Sequence, residues 1–139
     1  MVNYWIFVSV PYTDFNTGDF LKIYRKIKVS KKWSIGKKTP NRKKLSKNDE
    51  ILFYQGGERG GKFVGSAELV SGLIQQDNGM FDFVILKNIE FWKKPVEIRP
   101  ILRKLSFIKD KKHWGVYFQG GIIRISEKDY EEILKRAGK

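Results

Sequence analysis

The residues best suited to binding a partner are a tryptophan and the basic side chains around it. Half of the segment KKWSIGKKTPNRKK, residues 31–44, is Lys or Arg, none of it is acidic, and it contains Trp33 and Ile35. Single-stranded nucleic acid is commonly held by cations along its backbone and by aromatic rings under its bases, where stacking contributes roughly 1–3 kcal/mol per base. The pattern alone is equally compatible with Trp33 as a core residue of a short strand or as a ring covered by lysine stems.

The basic residues of this segment are the predicted phosphate contacts. A net charge of +13, from 28 Lys and Arg against 15 Asp and Glu, favours a polyanionic partner, because neutralised phosphates release counterions. The alternative is that the excess lysine only keeps the protein soluble, as in Lys- and Glu-rich thermophile proteins. The predicted phosphate-binding residues are Lys31, Lys32, Lys37, Lys38, Arg42, Lys43 and Lys44.

Catalytic side chains are scarce. The chain has one histidine, His113, and no cysteine, which excludes thiolate metal sites, cysteine nucleophiles and His-based metal clusters. Lys111 and Lys112 disfavour the charged form of His113, which is expected to be a surface group. Glu68 is the one acid well inside a predicted strand, and facing solvent or pairing across strands is favoured over a general-base role. The sequence therefore predicts no enzyme, no metal and no cofactor.

The apolar runs and the cysteine count indicate the compartment. The longest apolar runs, WIFV and ILFY, are too short to span a bilayer or to form a signal-peptide core. The absence of cysteine fits a reducing environment. We therefore expect a soluble cytoplasmic protein.

The elements that must position Trp33 begin with a strand and a helix. NYWIFVSV, closed by Pro11, is predicted to be a strand buried on both faces. Apolar residues at Phe20, Ile23, Tyr24 and Ile27 then follow the spacing of an amphipathic helix, which Asn16 or Thr17 can cap. Residues 28–46 are predicted to be a loop with space for one short strand, because Gly36 and Pro40 interrupt any long period.

The remaining elements are mostly strands. DEILFY and KFVGSAELV are predicted strands joined by the tip QGGERGG, and residues 80–92 a long strand ended by Pro95. Pro100 opens a short helix, HWGVYF and GIIRI form a hairpin, and Ser126 with Asp129 caps a final helix. Short connections favour antiparallel pairing. The predicted fold is α+β, a small mixed, mostly antiparallel barrel with flanking helices, in one domain over residues 1–139.

Four ordered segments resemble the EVE domain, a member of the PUA-like superfamily related to the YTH readers of methylated adenine. They are NYWIFVSVP; Trp33-Ser34 followed by Asn41 and Leu45; LSKNDEILFY with KFVGSAELV; and LSFIKDKKHWGVYFQGGIIRISEKDYEEIL. The last is similar to the tail of short, single-domain archaeal relatives. The resemblance implies a PUA-like β-barrel whose surface pocket accepts a single flipped or unpaired base, often a modified one.

The resemblance also implies roles for individual residues. Trp33 would form an aromatic wall of the pocket, and Ser34 would bind the base edge. Ser9 would be the polar contribution of the first strand, and Asn41 would lie at the rim. The YTH readers complete their pocket with a second tryptophan for which this chain has no equivalent. The candidates for the opposite wall, left open here, are Met80, Phe81 and Trp114.

The expected function is a non-catalytic module that binds RNA or DNA. An alternative from the enzyme class is an RNA-processing hydrolase on a similar barrel, as in ASCH-type proteins, acting as a nucleoside amidohydrolase. That reaction would need a lysine and a glutamate to meet in the cleft, for which Glu68 is available. A further alternative is an interaction module of a defence or restriction assembly.

Overall fold

The computed structural model describes residues 1–9, 17–56 and 61–139, and the side chains within these ranges except those of residues 17–21. The predicted roles of Pro11 and Asn16 and most of the predicted QGGERGG tip lie outside the described residues. The strands are β1 Tyr4–Ser9, β2 Lys32–Gly36, β3 Glu50–Gln55, β4 Lys62–Leu69, β5 Phe81–Glu97 and β6 Ile122–Ile125. The α-helices are α1 Thr17–Ser30 and α2 Glu127–Arg136, and short 3₁₀ helices cover Arg42–Lys44, Arg99–Lys104 and Trp114–Phe118.

The described strands form one mixed sheet in the order β2-β5-β4-β3-β1-β6. β1 pairs in parallel with β3, with Ser9 opposite Gln55 at their carboxyl ends. The pairs β1–β6, β2–β5, β3–β4 and β4–β5 are antiparallel. The α+β, mostly antiparallel arrangement predicted from the sequence is therefore confirmed.

The sheet curls into a half-barrel. Three strands separate β2 from β1 in the sheet order, so a flat sheet would place them about 19 Å apart, at about 4.8 Å per strand. The ring centroids of Trp33 on β2 and Phe7 on β1 are instead 5.4 Å apart. Curvature thus brings the edge strand β2 over the inner surface of β1 and β3.

The central strands β1 and β3 are buried on both faces, as the sequence predicted for β1. Alternate residues enter two apolar clusters: Phe7 and Phe53 face the inside of the half-barrel, whereas Ile6 and Leu52 face the opposite cluster beneath α2 and the 3₁₀ helices. All four side chains are at most 1% exposed. This two-sided burial fixes the register, since a one-residue slip would exchange the two faces.

A buried carboxylate fastens the start of the sheet. Asp49 is fully buried and accepts hydrogen bonds from the Trp5 Nε1–H at 2.8 Å and from the backbone N–H groups of Asn3 and Ser46. Three donors satisfy most of the acceptor capacity of this carboxylate, which makes its burial tolerable. The Asn48-Asp49 turn therefore anchors the entry to β3.

Two expectations for the second half of the chain are wrong. Pro95 does not end β5, which continues to Glu97. Pairing with β4 jumps from Gly65–Phe91 to Phe63–Val96, so Pro95 lies in an irregular stretch where a missing N–H breaks no ladder bond.

The second error concerns HWGVYF, which is a 3₁₀ helix over Trp114–Phe118 rather than a hairpin strand. Asp110 accepts hydrogen bonds from the backbone N–H groups of Lys112 and His113 and so forms a turn before it. Phe118 then stacks on Tyr54, with ring centroids 3.9 Å apart. β6 pairs with β1 instead of with this segment.

The two α-helices follow the predicted patterns where their side chains are described, which leaves out Thr17 and Phe20 of α1. Ile27 of α1 packs into the inner cluster, with Ile23 and Tyr24 beside it. At α2, the Ser126 side chain accepts a hydrogen bond from the backbone N–H of Asp129, the predicted cap. None of the helices among the described residues is long and apolar enough to cross a membrane.

Candidate functional site

Trp33 lies on the inner face of β2 and is half-buried. Its ring centroid is 5.4 Å from that of Phe7 and 5.3 Å from that of Phe53, whose plane is within 29° of its own. These contacts fix the orientation of the indole, while part of it remains accessible. Trp33 thus combines the core and surface roles that the sequence left as alternatives.

The rings around Trp33 form what we call the aromatic cluster: Phe7, Tyr24, Trp33, Phe53 and Phe91. Phe91 lies 5.3 Å from Phe53, and Tyr24 of α1 stacks on Phe91 at 4.4 Å and 23°. Phe7 and Phe53 are buried and form the base of the cluster, whereas the other three rings are half-buried. The accessible parts of the cluster therefore come from α1, β2 and β5.

Polar groups lie beside the aromatic cluster at the carboxyl ends of β1 and β3. The Tyr24 hydroxyl donates to Gln55 Oε1 at 3.2 Å, and Ser9 Oγ donates to the Tyr54 carbonyl at 3.4 Å. Burial raises the pKa of Tyr24 to about 12, although a hydrogen bond with Ser9 lowers it. Tyr24 therefore keeps its proton at neutral pH. We call Ser9, Gln55 and the Tyr24 hydroxyl the polar group set.

Ser34 does not face the aromatic cluster. Successive side chains of a strand alternate between faces, so Ser34 projects outward when Trp33 projects inward, and it is exposed. Together with Met80 and Phe81 it lines a groove of about 230 Å³ on the outer surface. The structure thus divides the predicted pocket residues between two faces of β2.

Asn41 has a structural partner. Its side-chain Nδ2–H donates to the Ile122 carbonyl at 2.9 Å, and its backbone is left-handed, with φ 68°. This bond ties the loop after β2 to β6. The Asn41 amide, predicted to lie at the rim of the pocket, therefore has a structural role in linking this loop to β6.

Trp114 lies in the opposite apolar cluster. Its ring is 6.3 Å from Phe118, and the Arg99 guanidinium lies 5.9 Å from its centre. Trp33 belongs to the inner cluster, so the two tryptophans face different sides of the sheet. In this conformation Trp114 does not form a wall opposite Trp33.

The seven predicted phosphate contacts differ in availability. Lys37 Nζ donates to Asp82 Oδ1 at 2.8 Å and to the Gln76 carbonyl, and half-buried Arg42 donates through Nη1 to the Thr39 carbonyl at 3.0 Å. The side-chain hydrogen bond with Lys37 is the main reason that the pKa of Asp82 is lowered. The exposed members of the set are Lys31, Lys32, Lys38, Lys43 and Lys44.

The two side chains considered for catalysis, Glu68 and His113, have ordinary surface partners. Glu68 lies 3.8 Å from Lys87 Nζ and accepts a hydrogen bond from the Asn88 side chain at 3.0 Å. Its partners lie on the neighbouring strand β5, so its pairing matches the cross-strand role that the sequence favoured. His113 pairs with Asp110 at 3.0 Å in an exposed turn. Among the side chains that the structure describes, no three of His, Asp or Glu could together hold a metal ion.

Sequence reasoning missed Tyr24 and Gln55 as members of the site. Tyr24 fitted the apolar stripe of α1, and nothing in the stripe distinguishes a ring that packs from a ring whose hydroxyl reaches a polar partner. Gln55 carried a usable signal, because a polar residue directly follows the buried run ILFY. Its position opposite Ser9 comes from the parallel pairing of β1 and β3.

Curated relatives of the chain are bacterial. A UPF0310 protein in the gntR 5' region of Bacillus licheniformis is 45% identical over 51 residues, which cover 36% of this chain and 35% of that protein. The match thus spans about a third of that relative. Further UPF0310 relatives come from Mycolicibacterium vanbaalenii and Mycobacterium avium. These relatives do not support the expected likeness to archaeal proteins.

Solved structures share the fold. Human THYN1 in complex with 5-methylcytosine containing DNA is similar with a TM-score of 0.65 and 12% identity, covering 99% of this chain and 98% of that one. The YTH domain of Zygosaccharomyces rouxii MRB1, in complex with N6-methyladenosine RNA, is similar with a TM-score of 0.60 and 18% identity, covering 96% and 86%. At such identities the likeness shows the fold alone, and the predicted PUA-like class is confirmed.

The model of the EVE domain matches residues 3–136, which include every strand and both α-helices described above. The resemblance noted in four separate segments therefore extends over nearly the whole sequence, and the chain belongs to the EVE domain family.

Proposed function

We propose that the protein is a non-catalytic nucleic-acid-binding module that holds a single flipped or unpaired, modified base against Trp33. The carrying observation is the half-buried indole, fixed by Phe7 and Phe53 and set near uncharged polar groups at the ends of β1 and β3. An oriented ring with nearby donors and acceptors is the combination that binds an unstacked base.

The nucleic-acid complexes of two proteins with this fold support the choice of ligand. One contains DNA with 5-methylcytosine and the other RNA with N6-methyladenosine. A methyl group adds apolar area, and burying apolar area is favourable by about 25 cal/mol per Å². An aromatic slot can therefore prefer a methylated base by a modest margin, in DNA or in RNA.

The polar group set would bind the edge of the base. The Tyr24 hydroxyl, whose pKa burial raises to about 12, donates to Gln55 Oε1 and orients that amide, which can itself donate and accept. A site built to hydrogen-bond its ligand discriminates strongly, since a wrong partner leaves its polar groups unpaired. Ser9 and Gln55 are thus proposed to set which base is accepted.

The exposed lysines would supply affinity that is independent of the base. Phosphate contacts position a strand, whereas base contacts specify it. Each phosphate contact on a single strand contributes about 0.7 to the slope of log affinity against log salt. Replacing one of Lys31, Lys38, Lys43 or Lys44 should lower affinity for all sequences alike.

The test is a titration of matched methylated and unmethylated single strands, of RNA with N6-methyladenosine and of DNA with 5-methylcytosine, at fixed salt. Wild type should favour at least one methylated strand, and Trp33→Ala should remove that preference. Gln55→Leu leaves the rings of the aromatic cluster in place, and it should also remove the preference while the protein still folds. Trp114→Phe is the matched control and should retain it.

Equal affinity of wild type for every methylated and unmethylated pair would overturn the pocket. Loss of the preference in Trp114→Phe but not in Trp33→Ala would place the base-binding site on the opposite face of the sheet. Release of acid from an acetylated nucleoside, abolished by Glu68→Gln, would replace the non-catalytic proposal with the hydrolase alternative. Lys87 does meet Glu68, but the two side chains are 42% and 30% exposed. They form a solvated cross-strand pair rather than a water-excluding catalytic site, and we therefore expect no such release.

A further inference from the structure

The outer face of β2 carries a second candidate binding surface. The groove of about 230 Å³ on this face contains Lys32, Ser34 and Phe83 together with the turn before β5. Ligand pockets for drug-sized molecules usually have about 300–1,000 Å³, so this groove suits one flat ring rather than a larger ligand. We call it the outer groove.

The outer groove displays large apolar side chains to solvent. Met80 is 76% exposed and Phe81 is 48% exposed, although most large apolar residues of the described chain are buried. Phe81 is the first residue of β5 and Met80 precedes it; Phe81 pairs with Gly36, so no side chain covers it from the opposite strand. An exposed ring on a paired strand can stack on any base.

The charge of the outer groove is cationic. Its one carboxylate, Asp82, is 4% exposed and is bound by Lys37 and by the backbone N–H of Gln76. Lys32 remains exposed, with its ammonium 4.6 Å from the centre of the Phe83 ring. The groove therefore presents rings beside an uncompensated positive charge, which complements a nucleotide with its phosphate.

The outer groove is reachable from the aromatic cluster. β2 is the outermost strand of the sheet on its side, so no further described strand separates its inner face from its outer face. Lys32 and Trp33 are consecutive residues with opposite orientations, and a residue advances about 3.3 Å along a strand. A chain of nucleotides that places one base at Trp33 can therefore pass around the edge of β2.

We propose that the outer groove binds the neighbouring nucleotide of the same strand, with its base stacked on Phe81 and its phosphate paired with Lys32. This inference rests on the proposed function for the position of the first base. It adds the prediction that the ligand is a strand of at least two nucleotides that is single-stranded at the site. A paired neighbour could not stack on Phe81, because its ring faces would already be covered within the duplex.

The test compares three RNA probes: N6-methyladenosine 5′-monophosphate, a trinucleotide with N6-methyladenosine between two uridines, and the same trinucleotide with abasic neighbours. The corresponding DNA set carries 5-methylcytosine. Phe81→Ser changes an exposed residue and should lower affinity for the full trinucleotide about thirtyfold, the middle of the range for loss of one stacked base. Affinity for the other two probes should not change. Val116→Ser, at a 55% exposed site elsewhere, is the matched control.

The outcomes separate the two proposals. Equal trinucleotide affinity of Phe81→Ser and wild type, or an equal loss with the abasic probe, would overturn the outer groove. An acidic peptide that displaces the trinucleotide from wild type but not from Phe81→Ser would assign the groove to proteins and also overturn it. A Phe81→Ser effect combined with no effect of Gln55→Leu or Trp33→Ala would instead contradict the proposed function and leave the groove standing.

Discussion

The inner and outer faces of β2 use neighbouring residues for opposite purposes. Inward, Trp33 packs on rings from β1 and β3, and Ile35, which is 2% exposed, belongs to the same apolar cluster. Outward, Lys32 and Ser34 face solvent in the outer groove. One short strand can therefore both cover the inner apolar cluster and present polar side chains to solvent, because its side chains alternate at each residue.

The largest difference between the faces should appear in folding stability. Ile35→Ala removes buried methyl groups and leaves a cavity, so we expect a loss of about 3 kcal/mol in the free energy of unfolding. Ser34→Ala, one residue away on the exposed face, should stay within about 0.5 kcal/mol of wild type. Urea unfolding of both variants measures this, and equal losses would mean that the two faces are not distinct.

A smaller difference in stability is expected between variants of the neighbouring residues Lys37 and Lys38. Lys37→Met leaves the buried Asp82 carboxylate without its ammonium partner, so its unfolding midpoint in urea should fall below that of wild type. Lys38→Met removes only an exposed charge and should leave the midpoint unchanged while lowering affinity for nucleic acid. A stable Lys37→Met protein with the same binding defect would show that both lysines belong to the binding surface.

The same ion pair predicts a dependence on pH. The pKa of Asp82 is lowered in the folded protein, chiefly by its hydrogen bond with Lys37. Its ionised form therefore stabilises the fold above the ordinary aspartate value of about 3.9, and this contribution is lost as the pH falls through the lowered pKa. In urea titrations from pH 7 to pH 2.5, Asp82→Asn and Lys37→Met should lose less stability than wild type. Parallel curves for all three proteins would contradict the role of the pair.

The smallest expected effect tests the independence of the outer face. The Lys32 ammonium lies over the Phe83 ring, but both groups have access to solvent, so Lys32→Ala should change stability by less than about 0.5 kcal/mol. The thermal unfolding midpoint measures it. A larger loss would show that the outer groove supports the fold, and would weaken its interpretation as a binding surface.

Regular patterns made much of the fold predictable. The two-sided apolar run of β1, the stripe of α1 and the Ser126–Asp129 cap of α2 each depend on local chemistry, and each is present. Pro95 and the segment Trp114–Phe118 were mispredicted for a common reason. Whether a proline breaks a ladder, or an apolar segment pairs as a strand, depends on the neighbours that the fold supplies.

For the candidate site, the chemical inventory could be read from the sequence. Trp33 stands among lysines, the chain has no cysteine and one histidine, and the resemblance indicated the family. Which of these groups meet depends on the tertiary structure. Barrel curvature brings Trp33 to Phe7 and Phe53, parallel pairing sets Ser9 opposite Gln55, and the pleat of β2 sends Ser34 to the other face. These juxtapositions join residues far apart in the chain, and local propensity carries no information about contacts made across a curved sheet.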